Sequence, residues 1–178
     1  KLNAIDYLTH HAKFEDKLIY QDVKGVPTLN TRGKGDKSFL VQDHVDQFLF
    51  AYADAGVKLD REIISRAGKK FTVQDKLNFA KKGFREDQEL GWTLVVVSTY
   101  VPFDEEWKAD TGKKYRVEDV MRLAIQRDPR RETEGGPHHL YGVAYALGEY
   151  LDQGGKLVGV WKDAKKYLDK YVAITKEY

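Results

Sequence analysis

The chain has 178 residues, enough for one domain with a hydrophobic core and too few to predict two. Thirty basic residues against 28 acidic ones give a net charge of +2, which argues against nucleic acid as the main partner. The absence of cysteine excludes disulfides, thiolate zinc sites and a cysteine nucleophile, and no apolar run approaches the roughly 18 residues of a membrane span.

The first 41 residues differ in composition from the rest of the chain. The segment NAIDYLTHHAK, which begins at Asn3, predicts a short helix. Residues 21–41 are rich in Gly, Lys and Thr and predict a long loop or extended arm, which in a compact domain is usually functional or disordered. The predicted organisation is an N-terminal helix and arm over residues 1–41, followed by one helical domain over residues 42–178.

Two nearly identical phrases occur 44 residues apart: GKKFTVQDKLNFA begins at Gly68 and GKKYRVEDVMRLA begins at Gly112. Aligned without gaps, the match extends upstream, where Asp60 pairs with Asp104. A period of about 44 residues is the size of a two-helix repeat. We interpret the phrases as parts of a duplicated structural unit.

Apolar residues recur at helical spacing in both copies. In the first copy they predict a helix that ends at Gly56 and another that begins near Val73. In the second copy they predict helices over residues 86–100 and 117–126. A third, degraded copy begins at Gly135. The predicted fold class is therefore all-α, with three α-hairpin repeats of about 44 residues.

Three phrases, HVDQFLFAYADAGV, ELGWTLVVVSTYVP and GGPHHLYGVAYAL, together with the hairpin layout, resemble the α/α-toroid class. That class includes terpenoid-cyclase-like and protein-prenyltransferase-like folds and several glycan-processing barrels. The phrases also look like segments of uncharacterised bacterial proteins of this kind. The resemblance covers residues 42–178 and implies an incomplete toroid or a solenoid arc. Since neither the DxDD motif of the cyclases nor the zinc ligands of the prenyltransferases are present, it implies a layout and no reaction.

Carboxylates and imidazoles are concentrated near the starts of the predicted first helices of each copy. Such groups could bind a divalent metal or act as a general acid and base. Alternatively, acids in a first helical turn offset the helix dipole, and polar side chains satisfy free N–H groups there. The second interpretation is favoured, so the sequence predicts no metal and no cofactor. The candidate catalytic residues are His44, Asp46, Glu89 and His139.

Eleven tyrosines and three tryptophans make the chain rich in aromatic residues, which in helical repeats normally pack between layers. Any that lie on an exposed face would suit sugar stacking or a protein interface. The predicted exceptions to core packing are Tyr100, Tyr145 and Tyr150.

Each of the two phrases also carries a pair of lysines in a predicted repeat loop. The loops are expected on the same edge, where the lysines form either a solvated rim or a surface for an acidic partner. The four lysines are Lys69, Lys70, Lys113 and Lys114.

The leading functional prediction is a non-catalytic accessory or assembly subunit that binds another protein in a larger complex. The alternatives are a glycan-processing hydrolase or lyase and a carbohydrate-binding module. Nucleic acid and a membrane span are not predicted. The chain begins with Lys1 and ends directly after a predicted helix, which favours a fragment of a longer protein and leaves export open.

Overall fold

A computed structural model of the chain describes residues 3–14, 16–23, 26–29, 44–132 and 136–175. The chain forms two compact units, Lys1–Lys81 and Lys82–Tyr178. The predicted boundary between residues 41 and 42 lies outside the described residues and stays a prediction. No helix in the described ranges combines the length and the apolar composition needed to cross a bilayer.

The first unit combines short helices with small antiparallel hairpins. Strands β1 and β2, β3 and β4, and β5 and β6 form three separate pairs. Residues 21–23 and 26–29 of the predicted arm are therefore in strands, while its residues 24–25 and 30–41 lie outside the described part. The helices are α1 (Ala4–Asp6), a π-helical turn (Tyr7–His11), α2 (Gln47–Asp54) and α3 (Val73–Gly83). The strands are β1 (Lys13–Phe14), β2 (Lys17–Leu18), β3 (Tyr20–Val23), β4 (Val26–Leu29), β5 (Glu62–Ile64) and β6 (Lys70–Thr72).

The described residues of the second unit contain four α-helices. Helix α4 packs closely against α6, and α5 and α6 both pack against α7. A short antiparallel pair, β7 with β8, lies between α4 and α5 in the chain. The helices are α4 (Gly91–Tyr100), α5 (Val117–Ile125), a 3-10 turn (Pro129–Arg131), α6 (Pro137–Asp152) and α7 (Gly159–Thr175). The strands are β7 (Trp107–Lys108) and β8 (Lys114–Tyr115).

The predicted all-α fold of three α-hairpin repeats is wrong. A β-hairpin separates the two helices of the first copy, β5–β6, and another separates those of the second copy, β7–β8. Each of these strands has only two or three residues, too few to show the alternation of apolar and polar side chains that marks a strand. The chain is mixed α and β, and it is not an α-hairpin arc.

The two copies nevertheless share one order of elements, which is helix, β-hairpin, helix. Adding 44 to the first residues of α2, β6 and α3, which are 47, 70 and 73, gives 91, 114 and 117, the first residues of α4, β8 and α5. The glycines that open the two phrases turn their hairpins in the same way, since Gly68 has a φ of 74° and Gly112 a φ of 83°. Positive φ favours glycine because it has no Cβ.

Helix α4 is the most buried element of the second unit, and all residues from Gly91 to Ser98 are buried. Its nearly continuous apolar sequence predicts this burial. At the start of α4 its backbone lies very close to that of α6. The approach is so close that a Cβ on Gly142 would collide with the carbonyl of Gly91. Two glycines therefore set the close approach of these helices.

The hairpins β5–β6 and β7–β8 each bury one pair of side chains that face each other across the two strands. In the first copy Ile63 faces Phe71, and in the second Trp107 faces Tyr115. All four side chains are buried. The lysines beside them alternate to the outer face, as successive residues of a strand do.

Candidate functional site

A groove lies beside the second hairpin, between β8 and helix α5. Its volume is about 380 Å³, which is within the usual range for ligand sites. Three cationic and two anionic side chains line it, and Glu106 and Glu118 beside it pair with two of the cations. The lining residues are Glu86, Lys113, Lys114, Tyr115, Asp119, Arg122, Leu123 and Gln126.

Aromatic packing fixes the floor of this groove. The ring of Phe84, which is buried, meets the ring of Tyr115 edge-on with 4.7 Å between centroids. Phe84 also lies edge-on to Trp107, the cross-strand partner of Tyr115. The segment after α3 is therefore anchored under the hairpin, and two residues later Glu86 reaches the groove.

Glu86 places a carboxylate at the mouth of the groove. Its Oε1 accepts hydrogen bonds from the Lys113 ammonium and from the Tyr115 hydroxyl, each at 3.0 Å. The bond from Lys113, followed by the one from Tyr115, lowers the pKa of Glu86. Glu86 in turn raises the pKa of Lys113, and burial raises that of Tyr115. At neutral pH the site is therefore a carboxylate held by an ammonium and a phenol.

The main chain around Glu86 is held by Arg127, which follows α5. Its guanidinium donates to the carbonyls of Glu86 and Gln88, the latter at 2.8 Å. It also pairs with Glu132 at 3.3 Å, and both side chains are mostly buried. The backbone of this segment is thus fixed independently of the Glu86 side chain.

The four lysines predicted as interaction residues are all exposed, and each pairs with an acid in its own unit. Lys70 pairs with Glu62 at 3.0 Å, and the equivalent Lys114 pairs with Glu106 at 2.7 Å. Lys69 differs from its equivalent Lys113, since it pairs with Asp22 at 3.3 Å and lies over the ring of Phe71. Exposed pairs of this kind contribute about 0–1 kcal/mol, so a partner can redirect them at low cost.

The predicted catalytic candidates occupy different kinds of position. His44 and Asp46 lie at the start of α2 in the first unit, both partly buried, and Asp46 has a φ of 61°. His139 is in the core of the second unit, where its Nε2 donates to the carbonyl of Ala124 at 3.0 Å. Because its side chain is buried and hydrogen-bonded to the main chain, His139 occupies the position of a structural residue.

Glu89 contacts the imidazole of His138, with 3.5 Å between Oε1 and Nδ1. The ring of His138 lies over that of Trp92, with 4.2 Å between centroids. Of the two adjacent histidines in α6, the sequence analysis selected His139 as the catalytic candidate. Neighbouring residues on a helix point about 100° apart, so His138 faces Glu89 and His139 points elsewhere.

The three predicted exceptions among the tyrosines are all partly buried. Tyr150 stacks on Trp161 with 4.0 Å between centroids and an interplanar angle of 7°, which is core packing. Tyr145 accepts a hydrogen bond from Thr99 at 3.3 Å. One turn earlier on α6, Tyr141 is 42% exposed, which the sequence did not predict. The sequence did contain an indication, because Tyr141 lies four residues before Tyr145 and residues four apart share a helix face.

Sequence reasoning also missed Glu86 and Tyr115 as groove residues. Glu86 belongs to the acids near the start of the predicted helix over residues 86–100, but that pattern does not indicate its partner Lys113, which is 27 residues away in the chain. Tyr115 did carry a signal, since the first copy has Phe71 at the equivalent position and only the second copy has a hydroxyl there.

No protein-family model, curated protein or solved structure matches this chain. These comparisons do not test the predicted resemblance to the α/α-toroid class, whereas the all-α arc that it implied is wrong. The case for a function depends on the geometry of the described residues.

Proposed function

We propose that this protein is a non-catalytic accessory subunit that binds another protein, and that the groove beside its second hairpin is the docking site. The observation that carries the proposal is the groove of about 380 Å³ with its three cationic side chains. The exposed ammonium groups of Lys113 and Lys114 favour a partner with an acidic face, because complementary charge guides association and selects the partner.

The composition of the groove also supports a protein partner. Arg122 belongs to a residue type that contributes strongly to protein interfaces, and the hydroxyl of the buried Tyr115 reaches the groove. Lys113 and Lys114 are both more than 60% exposed at their side chains, so a partner can reach them directly. Leu123 adds an apolar contact at the side of α5.

Reversal of charge on the hairpin tests this proposal. The tagged chain with Lys113→Glu and Lys114→Glu should lose a protein that the unchanged chain retains from an extract of its source cells. We expect partner recovery to fall at least about tenfold, because like charges then oppose each other across the interface. Quantitative mass spectrometry of the retained proteins measures the loss.

The control variant carries Lys156→Glu and Lys162→Glu, two exposed lysines near the start of α7, and has the same net charge. It should retain the partner as the unchanged chain does. Equal recovery with both variants, or only free monomer in the extract, would contradict a docking role for the hairpin.

A second candidate function, carbohydrate binding, is favoured by the aromatic face of α6. The ring of Tyr141 is exposed and lies 5.9 Å from that of Tyr145. The contact between Glu89 and His138 lies nearby on the same helix face, since residues three and seven apart on a helix align. Exposed rings suit the apolar face of a sugar, and a carboxylate can bind its hydroxyl groups.

Glycan-array screening followed by calorimetry tests this second candidate. A glycan that binds the unchanged chain should bind Tyr141→Ala about tenfold more weakly, since an aromatic platform contributes on the order of 1–2 kcal/mol. The matched control is Phe79→Ala, which removes an exposed aromatic ring from α3. No bound glycan, or the same loss with both variants, would exclude this use of Tyr141.

A further inference from the structure

We infer that Glu86 occupies the place of an acidic side chain of the protein partner in the free protein. On binding, the partner's carboxylate replaces that of Glu86 as the acceptor for Lys113 and Tyr115. This inference rests on the proposed docking function and goes further, because it names the contact that the partner makes. The site that results is a carboxylate site made of one ammonium and one phenol.

The first argument is the geometry at Glu86. A single carboxylate oxygen accepts both bonds at 3.0 Å, one from the Lys113 ammonium and one from the Tyr115 hydroxyl. Two donors that converge on one point form a ready site for a carboxylate oxygen, and charge-assisted bonds are the stronger kind. A second carboxylate of the same geometry could occupy that point once Glu86 has moved.

The second argument is that the Glu86 side chain can move away cheaply. It is 42% exposed and that of Lys113 is 63% exposed, so water already competes with the pair. Arg127 holds the backbone carbonyl of Glu86, so the side chain can rotate without displacement of the segment. Exchange of one exposed carboxylate for another therefore costs little.

The third argument is charge. Of the three cationic side chains that line the groove, only Lys113 loses its acidic partner when Glu86 leaves. Arg122 is held by Glu118 and Asp119, at 2.6 Å and 2.7 Å, and Lys114 by Glu106. The donors released by departure of Glu86 are thus those of Lys113 and Tyr115, and they select an anion.

The first copy supplies an internal comparison. Its equivalent of Tyr115 is Phe71, which has no hydroxyl, and its equivalent of Lys113 is Lys69, which pairs with Asp22. The convergent ammonium and phenol of the second hairpin are therefore not repeated there. Lys69→Gln provides a control that removes one hairpin lysine without a change in the proposed site.

Fluorescence anisotropy with labelled hexaglutamate, and an uncharged glycine-serine peptide as control, tests the inference on the full chain. Glu86→Gln should bind hexaglutamate about three- to fivefold more tightly than the unchanged chain, because the competing carboxylate is gone. Lys113→Gln should bind at least about tenfold more weakly, and Tyr115→Phe should weaken binding without loss of the buried ring. Lys69→Gln should leave the affinity unchanged.

The outcomes separate this inference from the proposed function. If Glu86→Gln binds hexaglutamate no more tightly than the unchanged chain while Lys113→Gln still binds it more weakly, the replacement of Glu86 by a partner carboxylate is overturned and the docking surface is retained. If neither the unchanged chain nor Glu86→Gln binds the peptide, the carboxylate site is overturned, and the charge-reversal recovery decides the docking function separately. Glu86→Gln is an exposed substitution, and its unfolding midpoint should match that of the unchanged chain.

Discussion

His139 shows how one side chain links pH to the stability of the second unit. Its Nε2 donates to the Ala124 carbonyl, so in the neutral ring Nδ1 carries no proton, and among the described residues that buried atom has no hydrogen-bond partner. Burial lowers the pKa of His139, with Arg127 acting in the same direction and Glu132 against it. The folded state therefore favours the neutral ring.

Stability should consequently fall as the pH is lowered through the ordinary histidine range. In the unfolded chain the residue takes up a proton near pH 6.5, whereas in the folded chain it does so only at lower pH, so acid favours unfolding. We expect this residue to contribute a slope of at most about 1.4 kcal/mol per pH unit below pH 6.5. Urea unfolding of the unchanged chain and of His139→Gln at neutral and mildly acidic pH measures it.

The glutamine variant keeps an N–H that can donate to Ala124 and does not titrate. Its loss of stability on acidification should therefore be smaller than that of the unchanged chain. Identical slopes for the two proteins would show that His139 does not take up a proton on unfolding in this range.

Among the helices, the contact between α4 and α6 depends on residues without side chains. A Cβ at position 142 would overlap the backbone of Gly91, and a Cβ at position 91 would overlap the carbonyl of His138. Neither obstacle is a flexible side-chain tip that could move aside. The helices would have to separate along the most buried surface of the unit.

Gly142→Ala should therefore destabilise the protein by about 1–3 kcal/mol or more, as overpacking of a tight core does. Gly148 lies six residues later on the same helix, and a Cβ there would meet no atom within 4 Å. Gly148→Ala should stabilise by about 0.5–1 kcal/mol, because alanine is the better helix former. Thermal unfolding of both variants measures the difference, and equal effects would contradict the close approach of the helices.

For the chain as a unit, the sequence predicted helices better than it predicted their connections. Helix α5 was predicted over residues 117–126 and is found at Val117–Ile125, because its buried stripe of Val120, Met121 and Ala124 has clear helical spacing. Helix α6 begins at Pro137, whose fixed φ suits a first helical position.

The hairpins were missed because their strands are too short to show a period. The segment between the helices of the second copy contains the Asp-Thr-Gly turn before Lys113. A glycine-containing turn between two short segments with apolar residues indicates a hairpin. Helical periodicity on both sides outweighed it. The prediction of a pure α-hairpin came from assigning each connection to a loop.

The proposed site was only half visible in the sequence. The paired lysines were identified from the duplicated phrases, since repetition drew attention to them. The carboxylate of Glu86 and the anchoring ring of Phe84 come from a segment far from the hairpin in sequence, and only packing brings them to it. Pairing over such separations leaves no local pattern.

The affinity of the purified partner for the unchanged chain and for the Lys113→Glu, Lys114→Glu variant tests the docking proposal most directly. The account predicts at least about tenfold weaker binding by the variant at physiological ionic strength, and binding by the unchanged chain that weakens as salt is added. Equal affinities for the two proteins, with the Lys156→Glu, Lys162→Glu control indistinguishable from both, would contradict it.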